Sequence, residues 1–324
     1  MSTGIFIGVD VSKDFLDVYV RPTALRKRFP NTSEGIADLV AWVRPLGAER
    51  IVFESTGPYQ KAAVAALLVE ELPAVVVNAR QVRDFAKAMN HLAKTDTIDA
   101  AVIAHFAEVA KTTVRPLESD ETRNLRELYD RRSQLVRMLA VEKNHRHSAT
   151  VAKASTKVIQ SIDKLIRFLE KQIEDLEARM DKLIEKSETF KARNDILQTI
   201  TGIGPQVSRT LIAYLPELGK YDRQSIAALV GLAPFNDDSG KHTGQRHISG
   251  GRSKVRKGMY QAAIAALTHC PQMRTFYTRL KARGKASRVA IIAVARKLLV
   301  LANALIRDMV PYKAPANSVC EKMA

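Results

Sequence analysis

Ile5-Phe6-Ile7-Gly8-Val9-Asp10-Val11-Ser12-Lys13-Asp14-Phe15-Leu16-Asp17-Val18-Tyr19-Val20 is the stretch on which the fold turns. Two apolar runs, Ile5 to Val9 and Phe15 to Val20, flank the polar turn Ser12-Lys13-Asp14, a pattern that forms a β-hairpin. The first run ends in Asp10, a charge at the tip of an apolar strand. Further out, a third strand around Lys27 to Phe29 stops at Pro30. Asn31-Thr32-Ser33 then supplies N-cap chemistry for a helix with Ile36, Leu39, Val40 and Val43 on one face. A strand at Ile51 to Phe53, a helix after Pro58, a strand at Ala74 to Val77 and helices reaching Ala110 follow.

The order βββαβαβα predicts an α/β domain over residues 1–115 with an RNase H-like sheet, three strands in a meander and two more joined by helical crossovers. From residue 116 to 192 the pattern is purely helical. Ile162, Ile166, Leu169, Ile173, Leu176, Met180 and Leu183 step by four and three, a heptad seam that predicts a coiled coil. Either the seam dimerises, or it closes an antiparallel hairpin within the chain. Residues 193–324 read as mainly helical, ending in a long apolar helix from Ser287 to Ile306 that belongs to a core. Gly202-Ile203-Gly204-Pro205 has two readings: a turn offering backbone N–H groups to a phosphate, or a glycine helix cap followed by a new helix.

The net charge is +17 and unevenly spread. Through Arg115, fourteen Lys or Arg face thirteen Asp or Glu, whereas between Asp238 and Asp308 there are fifteen Lys or Arg and no acid. Such a stretch calls for a polyanion, and nucleic acid is the natural one; a solvated basic surface or an anionic membrane footprint is the plain alternative. Lys94, Arg123, Arg126, Lys241, Arg246, Arg252, Lys254, Arg256 and Lys257 are the expected contacts. No recognisable base-reading helix with bidentate Arg or Asn stands out. No run approaches the roughly 18 apolar residues of a membrane span, and Asp10 interrupts the opening with no cleavage signal behind it, so a cytoplasmic protein is expected. Cys270 and Cys320 are far apart and lack metal-type spacing.

Four acids stand out. Asp10 ends the first strand, Glu54 follows the fourth, and Asp96 and Asp99 stand one helical turn apart at the opening of a helix. In the inferred sheet the first and fourth strands are neighbours, so the four carboxylates are expected to gather at one edge, where their repulsion is relieved by Mg²⁺ or Mn²⁺. Two such ions would serve phosphoryl transfer. Singly, each acid has a plain role, Asp10 in the hairpin turn and the two aspartates at a helix N-terminus.

Gly8-Val9-Asp10-Val11-Ser12-Lys13, Glu54-Ser55-Thr56-Gly57 and Lys94-Thr95-Asp96-Thr97-Ile98-Asp99-Ala100 resemble the DEDD transposases of the one-ten insertion-sequence family, relatives of the pilin-gene invertases. Gly202-Ile203-Gly204-Pro205, Gly231-Leu232-Ala233-Pro234 and Ser239-Gly240 resemble that family's second domain. The resemblance implies a RuvC-like nuclease domain, a helical coiled-coil linker and a C-terminal transposase domain whose serine is a nucleophile; by position that serine is Ser239. It also implies donor and target double-stranded DNA, a structured non-coding guide RNA, and a dimer of dimers with composite active sites. Ser249 and Ser253 compete for the serine role, and His242 and His247 are candidates for proton transfer or phosphate contact. Three other classes remain: a metal-only nuclease or junction resolvase that activates water, an actin-like or sugar-kinase-like ATPase, and a non-enzymatic nucleic-acid scaffold. The ATPase needs a second phosphate-binding Asp-x-Gly hairpin and a duplicated domain, and the sequence offers neither.

Overall fold

Alternation gives the first strand two faces, Ile7, Val9 and Val11 on one and Phe6, Gly8 and Asp10 on the other. The computed structural model describes residues 4–55, 57–90, 96–110, 112, 114, 119–235, 238–239, 242–244 and 246–313, with the backbone alone at 96–98, 238–239 and 242–243. It divides into two compact units, Met1–Glu118 and Ser119–Ala324.

The first unit holds strands β1 (Phe6–Val11), β2 (Phe15–Arg21), β3 (Arg26–Pro30), β4 (Arg50–Glu54) and β5 (Ala74–Val77), with helices α1 (Ser33–Val43), α2 (Lys61–Val69), α3 (Ala79–Ala88) and α4 (Asp96–Val109). The sheet order is β3-β2-β1-β4-β5, β1 to β3 forming an antiparallel meander and β1, β4 and β5 running parallel. The expected meander and helical crossovers are both present. Thr32 caps α1 by accepting from the Gly35 backbone N–H, and Ile36, Leu39, Val40 and Val43 are buried as their spacing requires.

Each face of the sheet has its own core. Ile7, Val9, Val11, Ile51 and Phe53 pack with Leu39 and Val43 of α1 and Leu67 of α2. Phe6, Val52, Val75 and Val77 pack with Val82 of α3 and Val102, Ile103 and Ala107 of α4. Helix α4 lies so close over β1 that a Cβ on Gly8 would stand 2.3 Å from both the Ala100 carbonyl oxygen and the Ala104 nitrogen. Only glycine fits there, and the fixed backbone atoms offer no relief.

The second unit opens with α5 (Asp120–Val151) and α6 (Thr156–Lys186), joined by a short turn. Arg132 pairs with Glu177, Lys143 with Glu170 and Arg146 with Asp163. Partners descend along α6 as they ascend along α5, so the pair is antiparallel. Ile166, Leu169 and Met180 of the heptad seam are buried within the chain. The hairpin reading of that seam is the one realised here.

Helices α7 (Glu188–Gln198), α8 (Pro205–Tyr214), α9 (Arg223–Val230), α10 (Ser253–His269), α11 (Pro271–Ala282) and α12 (Ser287–Asp308) complete this unit. Its core joins Leu125, Met180, Leu211, Val230, Met259 and Leu299. Between α9 and α10 lie four two-residue strands, β6 (Pro234–Phe235), β7 (Asp238–Ser239), β8 (His242–Thr243) and β9 (His247–Ile248), where loops were expected. Strands that short carry no period-two pattern to read. By length and composition α12 is apolar enough to cross a membrane, but its Val294, Leu298, Leu299 and Ala302 are buried in this core.

Gly8→Ala should displace α4 and destabilise the N-terminal unit by about 1–3 kcal/mol through overpacking. Thermal denaturation would register the loss.

Candidate active site and nucleic-acid face

The face of the sheet covered by α4 carries Asp10 and Glu54, and the helix above it carries Asp96 and Asp99. Gly8 sits directly beneath Ala100, and Asp10, two residues on, shares its face. On β4, Val52 pairs with Gly8 and packs into the α4-side core, so Glu54 faces the same way. Asp10 and Glu54 thus leave neighbouring parallel strands one residue beyond the pair Val9–Phe53. Asp99 precedes Ala100 in the first turn of α4, and all three acids are half-buried. Asp96 begins the same helix; its side chain is outside the described atoms.

Among the described residues, no three or more His, Cys, Asp or Glu side chains stand close enough to hold an ion together. What converges is the placement of Asp10, Glu54 and Asp99 on one face from three elements. The donor set is carboxylate oxygen alone, which suits a hard divalent cation.

Sequence reading missed a fifth acid in this row. Asp17 of β2 stands opposite Asp10, and Arg28 of β3 stands opposite Asp17. The Arg28 guanidinium donates to both Asp17 oxygens, at 2.7 and 3.0 Å. The signal was present in the β2 alternation of Phe15, Asp17 and Tyr19, which faces the α4 side once the hairpin register is known.

In the second unit the expected cations divide by occupation. Arg123 pairs with Asp120 at 2.6 Å, one turn away on its own helix. Arg126 donates to the Ala213 carbonyl near the end of α8 and lies over the Tyr214 ring. Arg252 forks onto both oxygens of Glu217 and donates to the Tyr214 carbonyl at 2.7 Å. Lys254 pairs with Asp130, which also accepts from the Tyr214 hydroxyl. Burial, reinforced by that hydrogen bond to Asp130, holds the Tyr214 phenol far above its usual range. Arg126, Arg252 and Lys254 bind the domain's own helices to one another, and Arg123 is paired within its own helix.

Arg246, Arg256 and Lys257 instead line a cleft of about 820 Å³, in company with Arg288 and Arg296 of α12. The last two had not been singled out; their signal was an eight-residue spacing that puts both on one helical face. Arg256 also donates to the Gly250 carbonyl and, at 3.5 Å, to the Val230 carbonyl, tying the loop before α10 to the end of α9. Lys94 and Lys241 lie outside the described residues.

Ser239 lies in β7 with its backbone paired to His242 of β8, and His247 pairs with Phe235 across β6 and β9. Ser249 is exposed, and Ser253 opens α10. Gly202 has a structural duty: its φ is +100°, and a Cβ there would lie 2.6 Å from the Ala262 carbonyl oxygen of α10.

A transposase model of the DEDD, IS110 type matches residues 7–151, spanning Asp10, Glu54 and α4. A second, described as transposase, IS116/IS110/IS902 family, matches residues 194–278. The chain belongs to the IS110 family of transposases. Relatives of this family member include pilin gene-inverting proteins of Moraxella lacunata and Moraxella bovis, each 24% identical over 317 residues, covering 95% of this chain and 97% of theirs. A 44.8 kDa protein of insertion element IS116 from Streptomyces clavuligerus is 29% identical over 128 residues, 38% of this chain and 32% of its own. An IS110-family transposase acts on DNA as a cutting and rejoining enzyme, and its DEDD-type domain points to dependence on a divalent metal.

The two occupations of the cations are separable. Arg252→Met should cost about 1–3 kcal/mol by removing the forked hydrogen bonds to Glu217 and the bond to the Tyr214 carbonyl. Arg246→Ala should leave thermal stability within about 0.5 kcal/mol. It should weaken DNA binding and flatten the salt dependence by about one counterion. Melting curves and salt titrations on the same variants would check both.

Proposed function

We propose that this IS110-family transposase recombines donor and target DNA through a RuvC-like, RNase H-like centre formed by Asp10, Glu54, Asp96 and Asp99, together with a nucleophilic Ser239. The observation that carries the reading is the placement of Asp10 and Glu54 on the sheet face covered by α4, whose first turn carries Asp99. The strand order supports the RNase H-like assignment of residues 1–115. A bound divalent cation, Mg²⁺ or Mn²⁺, would supply polarisation of the scissile phosphate. Asp10, Glu54, Asp96 and Asp99 would hold and orient it, and the Gly8 contact keeps the helical pair from drifting off the strand pair.

Ser239 would give up its hydroxyl proton and form a bond to phosphorus while the bond to the DNA 3′ oxygen breaks and that oxygen takes up a proton. The phosphoserine ester retains the bond energy, so an incoming 3′ hydroxyl reverses the step without ATP. Support for Ser239 is its position in the family resemblance. Its backbone neighbour His242 is a candidate for moving the proton.

Base choice would come from a structured guide RNA, the protein reading backbone shape with Arg246, Arg256 and Lys257. Assembly as a dimer, and then a dimer of dimers, has support in α6. Its inward seam is occupied, yet Val158, Leu165 and Phe168 are 48%, 41% and 58% exposed on the hairpin. A cytoplasmic site of action accords with DNA as the substrate.

Replacing Asp10, Glu54 or Asp99 by the corresponding amide should slow DNA cleavage at least about a hundredfold, given several kcal/mol of transition-state stabilisation, while DNA binding persists. Ser239→Ala should abolish denaturation-resistant protein–DNA adducts and strand exchange. Full recombination by that variant would overturn the serine step and favour an activated-water nuclease.

Phe168→Glu should shift the chain toward smaller species in light scattering while its helix content is kept.

A further inference from the structure

The cleft of the second unit has a composition that phosphate binding does not explain. Its walls carry five cations, Arg246, Arg256, Lys257, Arg288 and Arg296, and no acid among the described residues. Its floor is apolar, built from Leu232, Pro234, Val289 and Ile292. Val289 is 51% exposed at the start of α12, an apolar side chain left in solvent among guanidinium groups. Tyr260 reaches the cleft from α10, half-buried and outside the domain's packed core, and exposed Gln261 beside it offers both an amide donor and an acceptor. A duplex held by its backbone presents phosphates and has no use for such a floor. An unstacked base needs an apolar surface, an aromatic face and a polar edge contact, with its flanking phosphates on cations. The cleft, at about 820 Å³, is of ligand-pocket size.

We propose that this cleft is a binding site for a single-stranded nucleic-acid segment, seating at least one unpaired nucleotide with its base against Tyr260 and Val289 and its phosphates on Arg246, Arg288 and Arg296. The proposal rests on the reading of this domain as a nucleic-acid binder and adds where an unpaired nucleotide goes. Tyr260 supplies the stacking face, Gln261 the contact to the base edge, and the five cations the pull on the backbone. Duplex regions would meet the cations only from the rim.

The test uses the full chain and fluorescence anisotropy with two probes, a labelled short oligothymidylate and a blunt duplex of equal length. Tyr260→Leu should weaken oligothymidylate binding roughly five- to a hundredfold, the range of one lost base stack, and leave duplex affinity unchanged. Tyr260→Phe, which keeps the ring, should restore single-strand affinity, and Val289→Ser on the exposed floor should weaken the single strand alone. If Tyr260→Leu changes neither probe, or both equally, the base site is refuted while nucleic-acid binding stands. If neither probe binds the unaltered chain at low salt, the nucleic-acid reading of the domain falls, and the base site with it.

Discussion

The contact between Gly8 and the backbone of Ala100 and Ala104 is the constraint on which the N-terminal unit depends. Close-packed backbone atoms do not yield as a flexible side chain does, so the distance from β1 to α4 is set by the absence of a Cβ. With that distance set, α4 has one place to begin, above the ends of β1 and β4. Asp99 is then one residue from the contact, Asp10 is two residues along the strand, and Glu54 follows from the ladder between β1 and β4. The position of three acids from distant parts of the chain reduces to one steric fact and two strand registers.

The second unit turns on how charge is shared out. Arg209 is 5% exposed and meets Asp181 with two nitrogens, and Arg132 reaches Glu177 on the same face of α6. With Arg252 on Glu217 and Lys254 on Asp130, these pairs fasten the hairpin and α8 to α10 using acids drawn from outside the acid-poor stretch. Arg288 and Arg296 of α12 and Arg246 before β9 lie within that acid-poor stretch, and together with Arg256 and Lys257 they line the cleft.

Much of the α/β unit was legible because its signals are local. The Ser12-Lys13-Asp14 turn, Pro30 at the end of β3 and the Thr32 cap each mark an element boundary by chemistry within a few residues. The places of Asp10 and Glu54 at strand ends and of Asp96 and Asp99 at a helix start were legible for the same reason. Asp17 was not, since its membership depends on the pairing of two strands rather than on its neighbours in sequence. The same limit applies to Arg252 and Lys254. Both stand in a basic run indistinguishable from Arg246 and Lys257 until the folded chain brings Glu217 and Asp130 to them. The α6 seam was readable as a seam, but its partner was not, because a heptad states what must be covered and leaves open which helix covers it.

The row Arg28, Asp17, Asp10, Glu54 has a further meaning. Taken across β3, β2, β1 and β4, it runs from a cation through the carboxylate it pairs with to two further carboxylates, so the sign of charge along the row changes at right angles to the strands. A phosphodiester approaching from the β3 side meets attraction first and repulsion last. The direction from which a strand most easily reaches the acid-bearing end of the sheet is therefore inscribed in the register of a hairpin.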